Sequence, residues 1–296
     1  MSRLFSAFCG IMLLGFGGFL LLSAPHAVDS TTYQALKGDP ARGAQVFWAA
    51  GCASCHAAAD AKGEAQLVLS GGQEFASAFG TFVAPNISPD PSQGIGGWTL
   101  VQFANAVTMG LGVEAEHLYP ALPYAAYNKM LPQDVADLKA YMDGLPPSAT
   151  PSKPHQLGFP FNIRRTLGIW KLLFVRSDWV IAADLTPEQT RGRYIAEALA
   201  HCGECHTPRN ALGGLQRSAW LSGAANPDGK GRIPNITPGK LTWSQAEIVE
   251  YLTSGFTPEF DSVGGSMAHV VDNMARLPEA DRRAVAAYLQ LVPAVE

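Results

Sequence analysis

Hydrophobic residues fill the start of the chain: LFSAFCGIMLLGFGGFLLLSA occupies positions 4 to 24 without a charge, preceded by Arg3. A positive residue ahead of such a run predicts an export leader, and 21 apolar residues are also enough to span a bilayer. Residues 1–27 are therefore expected to be a signal peptide or a membrane anchor, the latter leaving Arg3 in the cytoplasm and the rest outside. Beyond the leader the pattern turns helical at matched places. Asp39-Pro40 offers an N-cap with proline at the first helical position, opening a helix through Gly43, Phe47 and Trp48 toward Cys52. Thr186-Pro187-Glu188-Gln189 has capping-box spacing and opens a helix through Gly192, Tyr194 and Leu199 toward Cys202. Apolar residues recur at helical spacing in LPQDVADLKAYM (131 to 142) and LPEADRRAVAAYL (277 to 289). Gly43 and Gly192 are placed to let the first helix of each unit approach its last closely, or simply to be tolerated within it.

These elements belong to an internal duplication. CASCH (52 to 56), PNISP (85 to 89), Trp98 and Gly110 are followed in the same order by CGECH (202 to 206), PNITP (234 to 238), Trp243 and Gly255. The tryptophan-to-glycine interval is 12 residues in both copies. Self-similarity of this kind predicts two copies of one mostly α-helical unit. The expected division is a leader (1–27), a first domain (28–144), a linker (145–185) and a second domain (186–296). The linker begins with the proline-rich LPPSATPSKP and continues as FPFNIRRTLGIWKLLF, which predicts a short packed helix with Arg164, Arg165 and Lys171 on its wet side.

Composition narrows the class. Hydrophobic residues make up 47% of the 296 and charged residues 16%, enough apolar material for buried cores. The formal net charge is −4, or −5 once Arg3 leaves with the leader, and no basic block occurs, which excludes a nucleic-acid partner. Of five cysteines, Cys9 lies in the leader and the other four form the two short clusters.

Cys52, Cys55 and His56, and again Cys202, Cys205 and His206, have the C-x-x-C-H form of a c-type haem attachment site. Two thioether bonds fix the porphyrin edge to a helical turn, and the adjacent histidine reaches the iron. A shared zinc site would have to join pairs 150 residues apart and leave both histidines unexplained; a thioredoxin-like thiol pair would need a βαβ context. Two covalently bound haem c groups are the expected cofactors. A methionine as second axial ligand gives a centre suited to electron transfer. In the first unit Met130, in the loop before the closing helix, is the choice over Met109 and Met142. In the second, spacing does not decide between Met267 and Met274, and aligning Asp134 with Asp281 puts Met130 opposite Leu277. His117, His155, His201 and His269 are read as surface or core residues, Arg209 as a partner for a propionate of the second haem, and Asn86, Asn235, Trp98 and Trp243 as propionate partners or crevice walls, the tryptophans equally as plain core.

With these motifs the sequence resembles the cytochrome c subunits of periplasmic, membrane-associated dehydrogenases that oxidise alcohols, aldehydes, gluconate or N-heteroaromatics. The resemblance rests on CASCH, PNISPDPSQGIGGW, HLYPALPYAAYNKM, FPFNIRRTLGIWK, GRYIAEALAHCGECHTPRN, PNITP and GGSMAHVVDNMARLPEADRRAVAAYL, together spanning about residues 39 to 293. It implies two tandem class I-type cytochrome c domains, with Met130 matching the methionine of the first and Met267 that of the second. It also implies a periplasmic electron carrier without substrate chemistry of its own, associated with the inner membrane. Such a carrier takes electrons from a dehydrogenase catalytic subunit and passes them to another cytochrome, quinone or a terminal oxidase. Many such subunits have three haem domains and this sequence has two, which leaves the acceptor open. The competing expectation is a di-haem oxidoreductase, a peroxidase or sulfur-compound oxidase, with one catalytic haem.

Overall fold

The computed structural model describes residues 2–227, 229 and 231–296, so Met1 of the expected leader lies outside them. The leader forms one helix, Ser2–Leu22, whose apolar side chains from Leu4 to Leu22 are largely exposed. By length and composition Arg3–Leu22 could cross a membrane.

The rest is mostly α-helical, and its two halves repeat the same pairings. Asp39 caps the opening helix Pro40–Ala49, its carboxylate accepting from the amides of Ala41 and Arg42. Thr186 caps Pro187–Tyr194 with a complete capping box to Gln189. Each opening helix crosses its closing helix, Pro132–Met142 or Glu279–Leu289, at a glycine. A Cβ at Gly43 would fall on the Asp137 carbonyl and one at Gly192 on the Ala284 carbonyl, so of the two readings of these glycines the close approach holds. Gly192 to Cys202 is one residue longer than Gly43 to Cys52, and the second half has a π-helical turn, Ile195–Leu199, in that interval. A π turn accommodates an added residue without breaking the helix. One buried cluster runs unbroken from Phe47, Val135 and Leu138 of the first half to Ile195, Leu199 and Tyr288 of the second.

The matching extends to the loops. Ile87 donates to the Leu69 carbonyl as Ile236 donates to that of Leu221. Asn86 Nδ2 donates to the Ser148 carbonyl at 2.7 Å, and Asn235 Nδ2 to that of Val295 at 2.8 Å. These asparagines clamp the chain leaving each closing helix, which is where their recurrence comes from; their amide nitrogens are committed to backbone. The same clamp holds the proline-rich stretch against the first half: Ser152 Oγ accepts from the Asn86 amide, and Gln156–Leu157 pairs antiparallel with Gly80–Val83, itself hairpinned to Glu74–Ser77.

The helix Thr166–Phe174 faces the opposite way from the expectation that Arg164, Arg165 and Lys171 point to water. Lys171 Nζ donates at 2.7 Å to the carbonyls of Met109 and Gly110, where a π-helical turn ends and leaves carbonyls without helical partners. Arg165 donates to Ser23 Oγ and the Leu20 carbonyl, and Arg164 to the His117 carbonyl. Gly168 packs on the backbone of Ser23. Three cations are drawn inward by backbone carbonyls, and Leu172 and Leu173 are left exposed, with Phe159, Phe161 and Ile163 exposed just before the helix.

Candidate haem centres

Each C-x-x-C-H sequence forms a short helical turn, Cys52–His56 and Gly203–His206, the latter capped by Cys202. The residue before the first cysteine is left-handed in both halves: Gly51 at φ 67° and His201 at φ 42°. Each turn is fixed by the same two bonds. The histidine carbonyl accepts from a glycine amide, Gly71 or Gly223, at 2.7 Å. The histidine Nδ1 lies 2.8 Å from a proline carbonyl, Pro85 for His56 and Pro234 for His206. A carbonyl accepts only from a protonated Nδ1, which leaves Nε2 with its lone pair free for a metal. Burial lowers the proton affinity of both rings against the opposing pull of the carbonyl, keeping that lone pair available near neutrality. Burial pushes the Cys52 and Cys202 thiols up to about 12, so they are held as neutral thiols beside the histidine. A thiol pair plus an oriented imidazole, present twice, is the donor set of covalent haem.

The two turns are neighbours. Asn273 Nδ2 of the second half donates to Ser54 Oγ, between Cys52 and Cys55, at 2.9 Å. Tyr127 OH donates to the Ala50 carbonyl at 2.7 Å, and its ring meets that of His201 edge-on at 5.6 Å. Desolvation and then the Cys205 thiol push Cys55 up to about 11.

The structure now sorts the remaining candidates. His117 Nε2 lies 2.9 Å from the Ser23 carbonyl and its Nδ1 3.1 Å from Lys171 Nζ, so it ties the leader helix to the body. His155 accepts from the Val83 amide, and His201 packs on Tyr127. Arg209, expected beside a propionate, is ion-paired to Glu204 of the second turn and donates to the Gly213 carbonyl. Trp98 and Trp243 pack at the edge of the core. The expected register of Met130 with Leu277 is borne out: both amides donate to the carbonyl three residues back, and both side chains are buried. Met274 is in the core and Met267 at its edge. The proline carbonyls that orient the histidines escaped the sequence reading, although the repeated Pro-Asn pair was their signal.

The cytochrome c family profile matches residues 40–146. A diheme cytochrome c-type protein of Cereibacter sphaeroides is 55% identical over 296 residues, all of both chains. The chain belongs to the cytochrome c family. This cytochrome is also 38% identical over 273 residues to the fructose dehydrogenase cytochrome subunit of Gluconobacter japonicus, covering 90% of its own length and 55% of that subunit's. It is 31% identical over 262 residues to the gluconate 2-dehydrogenase cytochrome c subunit of Pantoea cypripedii, covering 58% of that protein. The cytochrome thus spans little more than half of these two dehydrogenase subunits. Haem c, covalently bound, is its cofactor, and it carries two complete sets of cysteines and histidine for it.

Proposed function

We propose that this cytochrome is a two-haem electron-transfer subunit that takes electrons from a dehydrogenase catalytic subunit on the periplasmic side of the inner membrane. It passes them to another cytochrome, quinone or a terminal oxidase. Haem supplies the one-electron chemistry; the protein anchors it, sets its ligands and holds the centres in place. In this reading the first domain (28–144) holds a haem on Cys52, Cys55 and His56, and the second (186–296) holds one on Cys202, Cys205 and His206, with 145–185 between them. Met267 is the sixth ligand of the second haem. Met130, in the loop before the closing helix of the first half, is the methionine that the sequence offers the first haem.

The supporting observation is the juxtaposition of two identical histidine–proline carbonyl arrangements, bridged by Asn273–Ser54 and by Tyr127. Two imidazoles with free Nε2 atoms, His206 buried and His56 half-buried, on adjoining turns suit transfer from one centre to the other. The relatives that are dehydrogenase subunits supply the class of donor.

Membrane attachment through a retained leader is part of the proposal. Ser23 is fully buried; its carbonyl, hydroxyl and backbone are engaged by His117, Arg165 and Gly168. The exposed Leu172 and Leu173 lie on the helix that packs against this end. Intact mass of the membrane-extracted protein is expected to include Ser2–Leu22.

The deciding experiment uses membranes containing the full cytochrome. Fructose, gluconate, ethanol and an aldehyde are added in turn, and haem c reduction is followed in the visible spectrum. Reduction by at least one, to the extent reached with dithionite, is expected. Full reduction by dithionite with none by any of them would overturn the proposed donor class.

A further inference from the structure

From Gly110 and from Gly255 to the start of each closing helix, the backbone hydrogen bonds of the two halves run in register on either side of one unmatched segment. From Gly110 to Leu118 the backbone copies Gly255 to Val263. Leu118 donates to the Gly110 carbonyl as Val263 does to that of Gly255; Gly112 donates to Glu116 as Thr257 does to Asp261. Even Ala115 and Phe260 share a left-handed conformation, at φ 60° and 65°. From Tyr124 onward the backbone copies Val271 onward. Asn128 donates to the Tyr124 carbonyl as Ala275 does to that of Val271, and Met130 to Tyr127 as Leu277 does to Met274.

Between these stretches the first half has YPALP (119 to 123) and the second has GGSMAHV (264 to 270). The segment that carries Met267 therefore corresponds to five residues without a methionine. Counted from the matched Leu118 and Val263, Leu122 takes the place of Met267. Met130 lies outside this segment. It sits in the register of Leu277 and is buried as Leu277 is, at 5% and 4% exposed, so it fills a core position.

We infer that the two haems are ligated differently, and that the first, on His56, has no methionine ligand and an iron position open to a small neutral diatomic molecule. The inference rests on the two-haem reading. Leu122 is an apolar side chain half-buried against the core, in a segment where the prolines donate no amide hydrogen. The polarity and hydrogen-bond donors of the distal side decide which molecules an open haem binds. A distal side formed by Leu122 favours a neutral diatomic over an anion. A histidine-only iron also has a lower potential than a histidine–methionine iron, which directs electrons from the first centre to the second.

The test uses the haem-loaded full chain, with haem content measured first by haemochrome assay and intact mass. On the dithionite-reduced protein, carbon monoxide is expected to shift the Soret band of half the haem. On the oxidised protein, the weak near-infrared methionine–iron band is expected at the intensity of one centre. Leu122→Met should abolish carbon monoxide binding and double that band. Met130→Leu should change neither, and Met267→Leu should remove the band. Carbon monoxide binding to neither haem or equally to both, or loss of half the methionine band in Met130→Leu, would overturn the inference and leave the two-haem reading intact. Fewer than two haems per chain would overturn the reading itself, and the inference with it.

Discussion

The first and second halves agree where the histidine of each C-x-x-C-H turn is held and differ at several places where the halves meet each other or the connecting chain. His56 and His206 have the same two partners, and the asparagine clamps and glycine crossings match. Around the closing-helix tyrosine the solutions diverge. Tyr141 packs on Phe47 at 5.2 Å between ring centres. Tyr288 instead donates to the buried carboxylate of Glu197 at 2.8 Å and accepts from Trp220. Glu197 also accepts from the amides of Val180 and Ile181, which brings the connecting chain onto the second half. The ion pairs differ by a turn: Arg42 meets Asp137, whereas Arg191 meets Asp281. Asp281 corresponds to Asp134, which in the first half accepts from Tyr194 of the second at 2.5 Å. The conserved part of the duplication is the cofactor mount; the divergent part has become connection.

The comparison can be broken most strongly at the glycine crossings. Gly43→Ala and Gly192→Ala should each cost about 3 kcal/mol, since the overlap with backbone exceeds the helix-propensity gain of about 1 kcal/mol. Equal losses in chemical denaturation would show that the crossings are equivalent; a loss in one half alone would show that they are not. Glu197→Ala should cost about 2 kcal/mol by stranding two amides and a phenol, with faster amide exchange at Val180 and Ile181 and none at the first half's crossing. Asp137→Ala should cost about 1 kcal/mol, because its carboxylate is buried but Arg42 is 56% exposed and screened. Its measurable trace is fraying of the Asp39 cap, whose amide donates to Asp137 at 2.7 Å.

The smallest effect sharpens a contrast in pH response. Burial lowers the His117 proton affinity from 6.5, the Ser23 carbonyl opposes this, and Lys171, Arg165 and His26 add to it. A folded state that resists the proton is at full strength above the free value and weakens as pH falls below it. Exchange of the Val28 amide, which donates to Asn105 Oδ1, should therefore quicken about threefold beyond its chemical trend between pH 7.5 and 5.5. In His117→Gln it should not.

Much of this is legible in the sequence. The Asp39 and Thr186 caps, the two haem turns and the repeat follow from short-range chemistry, which a sequence displays directly. The orientation of Thr166–Phe174 was not legible. Charges on a short helix read as its wet side unless one knows that unpartnered carbonyls at Met109 and Gly110 lie against it. Nor could spacing align the segment around Leu122 with the one around Met267. The length difference sits between two stretches whose equivalence shows only in their hydrogen bonds, which also place Met130 in the buried register of Leu277.

The bond from Asn273 to Ser54 has a kinetic meaning. It joins one half of the molecule to the turn between Cys52 and Cys55, while Tyr194–Asp134 pins the halves a second time. Two such pins oppose hinging of one half against the other. Under the proposed function, current would pass between them across a gap of fixed width, and its rate would be indifferent to the viscosity of the surrounding solvent.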